Sequence, residues 1–203
     1  MNQRAKETAI QDEDYERVRA FLSDDRGAFE ELLLKYRHLV FSLCLRMLGN
    51  REDADDCAQE TFVKVYKALQ KFKFEAKFST WLYRIAVNTC KNKLSSAEYR
   101  HRSRFVLVAP LRPEEEPLPG GALRDETNLP EDIYEKRMTR ELIMDAIRTL
   151  SKDHKTLIVL ADLEGYPYET IVQITGLRLG TVKSRLARAR HQLRAKLEGV
   201  IRV

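Results

Sequence analysis

The feature that most constrains the fold is a break in composition near the middle of the chain. Residues 106–130, VLVAPLRPEEEPLPGGALRDETNLP, contain five of the six prolines and the pair Gly120 and Gly121. Proline and glycine disfavour helix interiors, and the acidic residues around them favour an extended, solvated segment. We therefore predict a flexible linker at 106–130 that joins two small domains, at residues 1–105 and 131–203.

Apolar residues recur at helical spacing on both sides of this linker. The first domain is predicted to contain helices at residues 12–23, 28–48, 52–72 and 79–104. The second domain is predicted to contain helices at residues 133–150, 152–163, 168–175 and 181–197. Gly49 and Asn50 supply a stop after the second helix, and Ser79 and Ser151 are candidate N-caps. The pattern predicts an all-α protein.

The last two predicted helices form a helix-turn-helix pattern, with Gly176 in a turn of about four residues. The second helix of the pair is basic, and Lys183 and Ser184 stand near its N-terminus, where a recognition helix reaches base edges in the major groove. A merely solvated basic helix is the alternative. Solvated faces usually mix both charge signs, whereas here only Glu198 balances the cations, so the pattern favours DNA contact.

The net charge of +5 conceals a segregation of charge along the chain. Residues 178–202 carry a net charge of +7 and residues 84–104 carry +5, whereas residues 112–135 carry −6. Two basic patches separated by an acidic tether indicate two contacts along one polyanion. Nucleic acid is the leading candidate for that partner.

Residues 72–95, FKFEAKFSTWLYRIAVNTCKNKLS, combine aromatic rings with lysines, a mixture that stacks on unpaired bases while holding phosphates. Trp81 is expected to lie in the core, as is usual for a single aromatic residue at helical spacing. A polar stripe at helical spacing follows the rings and consists of Arg84, Asn88, Lys91, Asn92 and Ser95. Asparagine is a poor helix former, so two of them on one stripe suggest a function beyond solvation.

An acidic cluster lies at the start of the third predicted helix and contains Glu52, Asp53, Asp55, Asp56 and Glu60. Stabilisation of the helix dipole, a basic protein partner and a metal site are three explanations, and the metal site is the least favoured because consecutive acids on a helix do not converge. Gln59 and Glu60 lie beyond the reach of the dipole and suit a protein interface better.

Catalytic and metal-binding signatures are missing from the sequence. Cys44, Cys57 and Cys90 are widely spaced, which supports neither a disulfide framework nor a zinc site, and Cys57 is expected to be the most exposed of the three. The four histidines are scattered, and no phosphate-binding loop occurs. We expect no enzymatic activity, no cofactor and no metal.

No apolar window is long enough for a membrane span or a signal peptide, so a cytoplasmic protein is expected.

These motifs together resemble a known family. The segments are DADDCAQETFVKVYKAL, FKFEAKFSTWLYRIAVNTCKNKL and GYPYETIVQITGLRLGTVKSRLARAR, in this order and with an acidic linker before the third. They are similar to the extracytoplasmic-function (group IV) sigma factors of bacterial RNA polymerase, and most like the envelope-stress sigma factors of the sigma-E type. The resemblance covers residues 28–198. It implies that the first domain is sigma region 2, a four-helix domain, and that the second is sigma region 4, a helix-turn-helix domain.

The resemblance also implies roles for individual residues. Those expected to dock on the clamp helices of the largest polymerase subunit are Asp53, Asp56, Gln59 and Glu60. Those expected to read the melted −10 element are Phe72, Phe74, Lys77, Arg84, Asn88, Lys91 and Asn92. Those expected to read the −35 duplex are Thr181, Lys183, Ser184, Arg185 and Arg188. Within the second set, Asn88 is expected to contact a flipped non-template base. Ala187 stands where close relatives often carry an aromatic residue, which leaves the −35 sequence preference open.

The function implied is that of an alternative sigma factor, which binds core RNA polymerase and directs it to promoter DNA. Such factors are typically held inactive by an anti-sigma factor, in some cases a membrane-bound one that sequesters the sigma factor at the inner membrane. The residues alone leave two alternatives. One is a stand-alone helix-turn-helix regulator, which would bind DNA without polymerase. The other is a helical nuclease that uses the acids at 52–60, which is disfavoured because those side chains do not converge.

Overall fold

The computed structural model describes residues 12–97, 99 and 130–198, which are mainly helical and include no β-strand. The helices of the first half are α1 Asp14–Leu22, α2 Arg26–Leu48, α3 Arg51–Ala68 and α4 Phe78–Ser95, with a 3₁₀ turn at Leu69–Lys71 after α3. Those of the second half are α5 Pro130–Arg148, α6 Lys152–Ile158, α7 Tyr168–Thr175 and α8 Leu179–Glu198, with a π-helical turn at Val159–Leu163 after α6. The predicted all-α fold is confirmed.

The stop between α2 and α3 is confirmed in detail. Gly49 adopts a left-handed conformation, with φ of 75°, and its N–H donates to the Leu45 carbonyl at 2.7 Å. The Asn50 side chain then caps α3 by accepting from the backbone N–H of Asp53 at 2.9 Å. Ser151 caps α6 in the same way, as predicted, by accepting from the N–H of His154. These local signals fix the ends of the helices without tertiary contacts.

Several predicted boundaries were wrong, among them the continuation of the fourth helix to residue 104, because α4 ends at Ser95. Ser79 is not an N-cap, because α4 begins one residue earlier and the Asp12 carboxylate accepts from the N–H of Phe78 at 2.6 Å. The last helix begins at Leu179 rather than at residue 181, and Pro130 begins α5 instead of ending the linker. Proline is well tolerated at the first helical position, where its missing N–H has no partner to lose. The rest of the predicted linker and residues 100–104 lie outside the described residues.

The core of the first half lies between α2, α3 and α4, and all three cysteines belong to it. Cys57 is only 1% exposed and is buried like the other two, so the expectation of an exposed thiol at this position was wrong. It shares its face of α3 with Ala54, Thr61 and Val65, which are buried at helical spacing. The sulfur atoms of Cys44 and Cys90 lie 3.5 Å apart inside this core. Buried cysteines of this kind behave as small apolar residues.

The two halves pack against each other, with α7 lying along α4 and the turn after α6 lying against α2. The rings of Tyr83 and Tyr166 meet edge to face across this contact, with centroids 5.2 Å apart. Arg46 forms a largely buried ion pair with Glu164. Arg148 donates to the Gly49 carbonyl at 2.9 Å. The contact therefore combines apolar packing with specific polar pairs, and it brings the second half over one face of α4.

Candidate nucleic-acid interface

The polar stripe predicted on α4 is present as one face of that helix. Arg84, Asn88 and Asn92 are exposed, and Lys91 is partly exposed. The opposite face is buried and consists of Phe78, Leu82, Ala86 and Thr89. Because the apolar face fixes the rotation of α4, the stripe is held outward on a rigid scaffold. Its amides and cations can contact base edges and phosphates.

The aromatic loop before α4, residues 72–77, is anchored to the first half of the molecule. Phe72 is only 7% exposed and packs against Trp81 at a ring distance of 5.2 Å. Trp81 is itself half-buried against the core. Phe74 is half-buried in a left-handed conformation, with φ of 56°, and the Arg19 guanidinium lies 5.6 Å from the centre of its ring. The Tyr15 hydroxyl donates to the Ala76 carbonyl at 3.0 Å.

These contacts separate the aromatic loop into a packed side and an exposed side. Phe72 faces the core and supports the loop from within. The side chains of Lys73 and Lys77 in the loop, and of Lys71 directly before it, are exposed. The loop can therefore present cations beside the polar stripe, and Phe74 offers the accessible part of the aromatic cluster.

The four residues predicted for polymerase docking are divided by the structure into two kinds. Asp56, Gln59 and Glu60 are exposed on α3 and form what we call the acidic face. Asp53 is 3% exposed, and its carboxylate lies 3.3 Å from the Nζ of Lys93 on α4. Asp53 is therefore positioned to hold α3 against α4, and the acidic face provides the accessible carboxylates.

Sequence reasoning missed the apolar continuation of the acidic face. Val63 and Tyr66 are large, exposed apolar residues on α3. They follow Asp56 and Gln59 at intervals of three or four residues, which places all four on one side of a helix. This spacing was visible in the sequence. An acidic patch that continues into exposed apolar side chains is suited to a protein partner.

The helix-turn-helix is formed by α7 and α8. Gly176 adopts a left-handed conformation that ends α7, with φ of 70°. The helices are packed by the buried residues Ile171, Ile174, Val182, Leu186 and Ala189. The outer side of α8 near its N-terminus carries what we call the basic face, which consists of Lys183, Ser184, Arg185 and Arg188. Arg185 and the nearby Thr181 are half-buried, and the other three residues of the basic face are exposed.

Asp153, on α6, is a residue that sequence reasoning did not single out. Its carboxylate lies 2.7 Å from the Nζ of Lys91 in the polar stripe and 3.3 Å from an Nη of Arg185 in the basic face. The hydrogen bond from Lys91, together with the charges of Arg185 and Lys152, lowers the pKa of Asp153. In the sequence, Asp153 resembles an ordinary acid in the first turn of a helix, so no local signal marks it.

Within the part of the chain that the structure describes, no three or more His, Cys, Asp or Glu side chains are grouped so as to hold a metal ion. Nor does any of its described helices have the length and apolar character needed to cross a membrane.

Comparison with known proteins gives consistent matches along the chain. Residues 32–100 match the family described as Sigma-70 region 2, and residues 140–193 match Sigma-70, region 4. The chain is 38% identical over 178 residues to the ECF RNA polymerase sigma-E factor of Salmonella typhimurium, which covers 88% of this chain and 91% of the relative.

Two solved structures have a similar fold. The structure of CnrH in complex with the cytosolic domain of CnrY has a TM-score of 0.63 and 23% identity, and the match covers 92% of this chain and 97% of the other. The sigma factor RpoE of Bartonella quintana, in complex with the anti-sigma factor NepR, has a TM-score of 0.58 and 24% identity, with 84% and 96% covered. At these identities the structures support the fold alone.

Proposed function

The chain belongs to the extracytoplasmic-function sigma factors of RNA polymerase, and we propose that its two helical halves divide promoter recognition between them. The observation that carries the proposal is the presence of two separate DNA-compatible faces on one chain. The polar stripe of α4 adjoins an aromatic loop, and the basic face of α8 is presented by a helix-turn-helix. In this proposal the first face reads melted DNA at −10 and the second reads duplex DNA at −35.

The basic face is suited to duplex DNA in the major groove. Lys183, Ser184 and Arg188 are exposed on the outer side of α8, near the end that a recognition helix inserts. An arginine or lysine that contacts a guanine with two hydrogen bonds supplies about 1–3 kcal/mol of base discrimination. Ala187 is exposed beside them and offers only a methyl group, so an apolar contact at this position is small.

The polar stripe is suited to a base that has left the helical stack. Extrusion of a base costs a few kcal/mol, which stacking and hydrogen bonds to the base edge offset. The Asn88 amide can donate and accept at such an edge, and Lys91 and Asn92 lie one turn further along the same side of α4. Since Phe72 is buried, we assign it to the support of the pocket, and we assign stacking to Phe74.

The acidic face of α3 is proposed to dock on core RNA polymerase, at the clamp helices of the largest subunit. Two features support this assignment: Asp56, Gln59 and Glu60 are exposed together, and the apolar residues Val63 and Tyr66 extend the same face. An interface of acids around exposed apolar side chains gives both charge complementarity and burial. Asp53 contributes by fixing the orientation of α3.

Sigma factors are transcription initiation factors, and we propose that this one has no catalytic activity of its own. It is proposed to act in the cytoplasm and to be controlled by an anti-sigma factor that covers its polymerase or DNA contacts. A membrane-bound anti-sigma factor would sequester it at the inner membrane. The proposal requires no cofactor and no metal.

Footprinting with and without core polymerase tests the proposal against a stand-alone helix-turn-helix regulator. We expect specific protection of the −35 and −10 regions only when core polymerase is present, because each face alone is small. Tethering both faces to polymerase makes the second contact effectively intramolecular and raises its local concentration. A full promoter footprint by the isolated chain would favour the regulator instead.

A further inference from the structure

One carboxylate contacts both of the faces proposed to read DNA. Asp153 Oδ1 lies 2.7 Å from the Nζ of Lys91, and Asp153 Oδ2 lies 3.3 Å from an Nη of Arg185. A DNA phosphate would present the same kind of paired oxygens to the same two cations. Because Lys91 cannot fully engage Asp153 and a phosphate at once, the contact and the binding of DNA compete.

Further contacts place the second half beside both ends of the polar stripe. The Nζ of Lys152 donates to the Ser95 hydroxyl, at the end of the stripe, at 2.8 Å. At its other end, a Cβ atom on Gly176 would lie 3.9 Å from an Nη of Arg84, so the turn of the helix-turn-helix lies beside that guanidinium. A DNA strand that runs along the polar stripe would meet the second half at both ends of the stripe.

A second group of contacts holds the halves together away from the polar stripe. Glu164 pairs with Arg46, and the rings of Tyr83 and Tyr166 pack edge to face. These residues are not among those proposed to touch DNA. They therefore allow the closed arrangement to be weakened without changing the DNA-reading cations.

We propose that this closed arrangement is autoinhibitory, with Asp153 acting as a clasp that occupies the place of a DNA phosphate between α4 and α8. The inference rests on the proposed function, since it concerns access to the same two faces. In the closed chain, the clasp engages Lys91 of the polar stripe and Arg185 of the basic face, and it neutralises one cation of each face. Binding to core polymerase or to DNA requires the halves to separate.

The clasp is suited to reversible control. Its ion pairs are partly exposed, and such pairs typically contribute at most about 1 kcal/mol each, so a polyanion that releases counterions can displace them. By reciprocity, anything that favours the separated halves raises the affinity for DNA, and DNA favours separation by the same factor.

The test compares three single variants of the full-length chain. Asp153→Asn removes the clasp, Glu164→Gln weakens the closed arrangement at a site distant from the proposed DNA contacts, and Asp162→Asn is the matched control. Asp162 pairs with Arg190 inside the second half, so its loss changes the charge equally without breaking a contact between the halves. Circular dichroism verifies that each variant is folded.

Two readouts are measured at low salt without polymerase: the radius of gyration by small-angle X-ray scattering, and the anisotropy of a short labelled single strand of mixed sequence. We expect Asp153→Asn to expand the chain and to tighten binding about two- to fivefold, the factor that one weak exposed ion pair supplies. We expect Glu164→Gln to do the same by at least that factor, because the pair of Glu164 with Arg46 is largely buried. Asp162→Asn should leave both readouts unchanged. If Asp153→Asn fails to fold, the result for Glu164→Gln alone decides whether the clasp is supported.

Two results would overturn the clasp. One is that neither variant changes the radius of gyration or the binding. The other is that Asp153→Asn tightens binding with no change in radius while Glu164→Gln does nothing, which would reduce Asp153 to a local charge effect. Transcription by the wild-type chain with core polymerase distinguishes failure of the clasp from failure of the proposed function. If the wild-type chain gives transcripts but the variants do not change the radius of gyration, only the clasp is refuted. If the wild-type chain gives no transcripts, the proposed function is refuted.

Discussion

At the scale of single residues, Asn88 is the most direct test of the polar stripe, because it is exposed and its amide both donates and accepts. With core polymerase at a cognate promoter, Asn88→Ala should lower open-complex formation by about tenfold, the effect of one or two lost hydrogen bonds. Binding to the −35 duplex should be unchanged. Permanganate reactivity of melted thymines measures the first quantity, and duplex anisotropy measures the second.

The control for this variant is Glu30→Ala, another exposed polar position on a helix of the same half. Neither variant should lower the thermal stability appreciably, since exposed substitutions rarely do. An equal loss of melting and duplex binding in Asn88→Ala would remove the assignment of Asn88 to a flipped base.

Lys155, on α6, is a buried cation whose protonation opposes folding. It is 5% exposed, and burial, with a smaller effect from the charge of Arg148, lowers its pKa to about 8 from an ordinary 10.5. Between these two pH values the unfolded chain binds more protons than the folded chain, so the free energy of unfolding rises with pH across this window. At pH 7 the buried charge costs on the order of 1–3 kcal/mol.

Lys155→Met should therefore stabilise the protein at pH 7 and lose the rise in stability between about pH 8 and 10 that the wild-type chain shows. Urea unfolding at a series of pH values measures both effects. Lys196→Met, which removes an exposed lysine, is the control and should keep the wild-type profile. If Lys155→Met followed the wild-type profile, the ammonium group would not be desolvated in the folded state.

Periodicity in the sequence predicts which residues of α4 face outward, because the helix has one strongly apolar side that fixes its rotation. It does not reveal that Asp53 is buried against Lys93, or that Phe72 packs inside the aromatic loop. Both placements depend on partners far away in sequence. A charged or aromatic residue in a segment predicted to bind a partner can therefore support the site from within instead of contacting that partner.

At the scale of helices, the acidic face of α3 is proposed to bind core polymerase, and charge reversal tests this. The double charge reversal Asp56→Lys with Glu60→Lys should weaken binding to core polymerase by about tenfold or more, because charges at an interface of complementary sign become repulsive. The fold should tolerate the change, since the described ion pairs that it removes from α3 are Glu60 with Lys64 and the longer pair of Asp56 with Lys93. Both are partly exposed, and such pairs contribute at most about 1 kcal/mol each. Co-purification with tagged core polymerase gives the measurement.

The matched control is the reversal of Glu30 and Glu31 on α2, which alters the net charge by the same amount on another surface. Core binding that survives the reversal on α3, or that falls equally in the control, would remove the docking assignment from the acidic face.

The ends of helices could be predicted where the signal is local. Asn50 and Ser151 cap their helices as expected, because a cap needs only a side chain and the next turn of backbone. The prediction that Ser79 caps α4 was wrong because the N–H group of Phe78 donates to Asp12, which lies before α1. The burial of Cys57 follows from its place among small residues on α3, a pattern that its neighbouring acids concealed.

At the scale of the whole molecule, the all-α architecture and the helix-turn-helix followed from the sequence because each depends on amphipathic repeats and turns. The contact between the two halves could not be predicted. It is formed by pairs such as Tyr83 with Tyr166 and Lys91 with Asp153, which have no relation in sequence spacing. The proposed linker allows the halves to approach each other, but it does not determine which faces meet.

The central claim is that this chain confers promoter choice on RNA polymerase through two DNA-reading faces. Run-off transcription with purified core polymerase on a library of promoter fragments tests it most directly. We predict discrete transcripts from a small set of templates that share −35 and −10 elements, and only when the chain and core polymerase are both present. Transcripts that are identical with and without the chain, or a chain that selects the same fragments without polymerase, would contradict the claim.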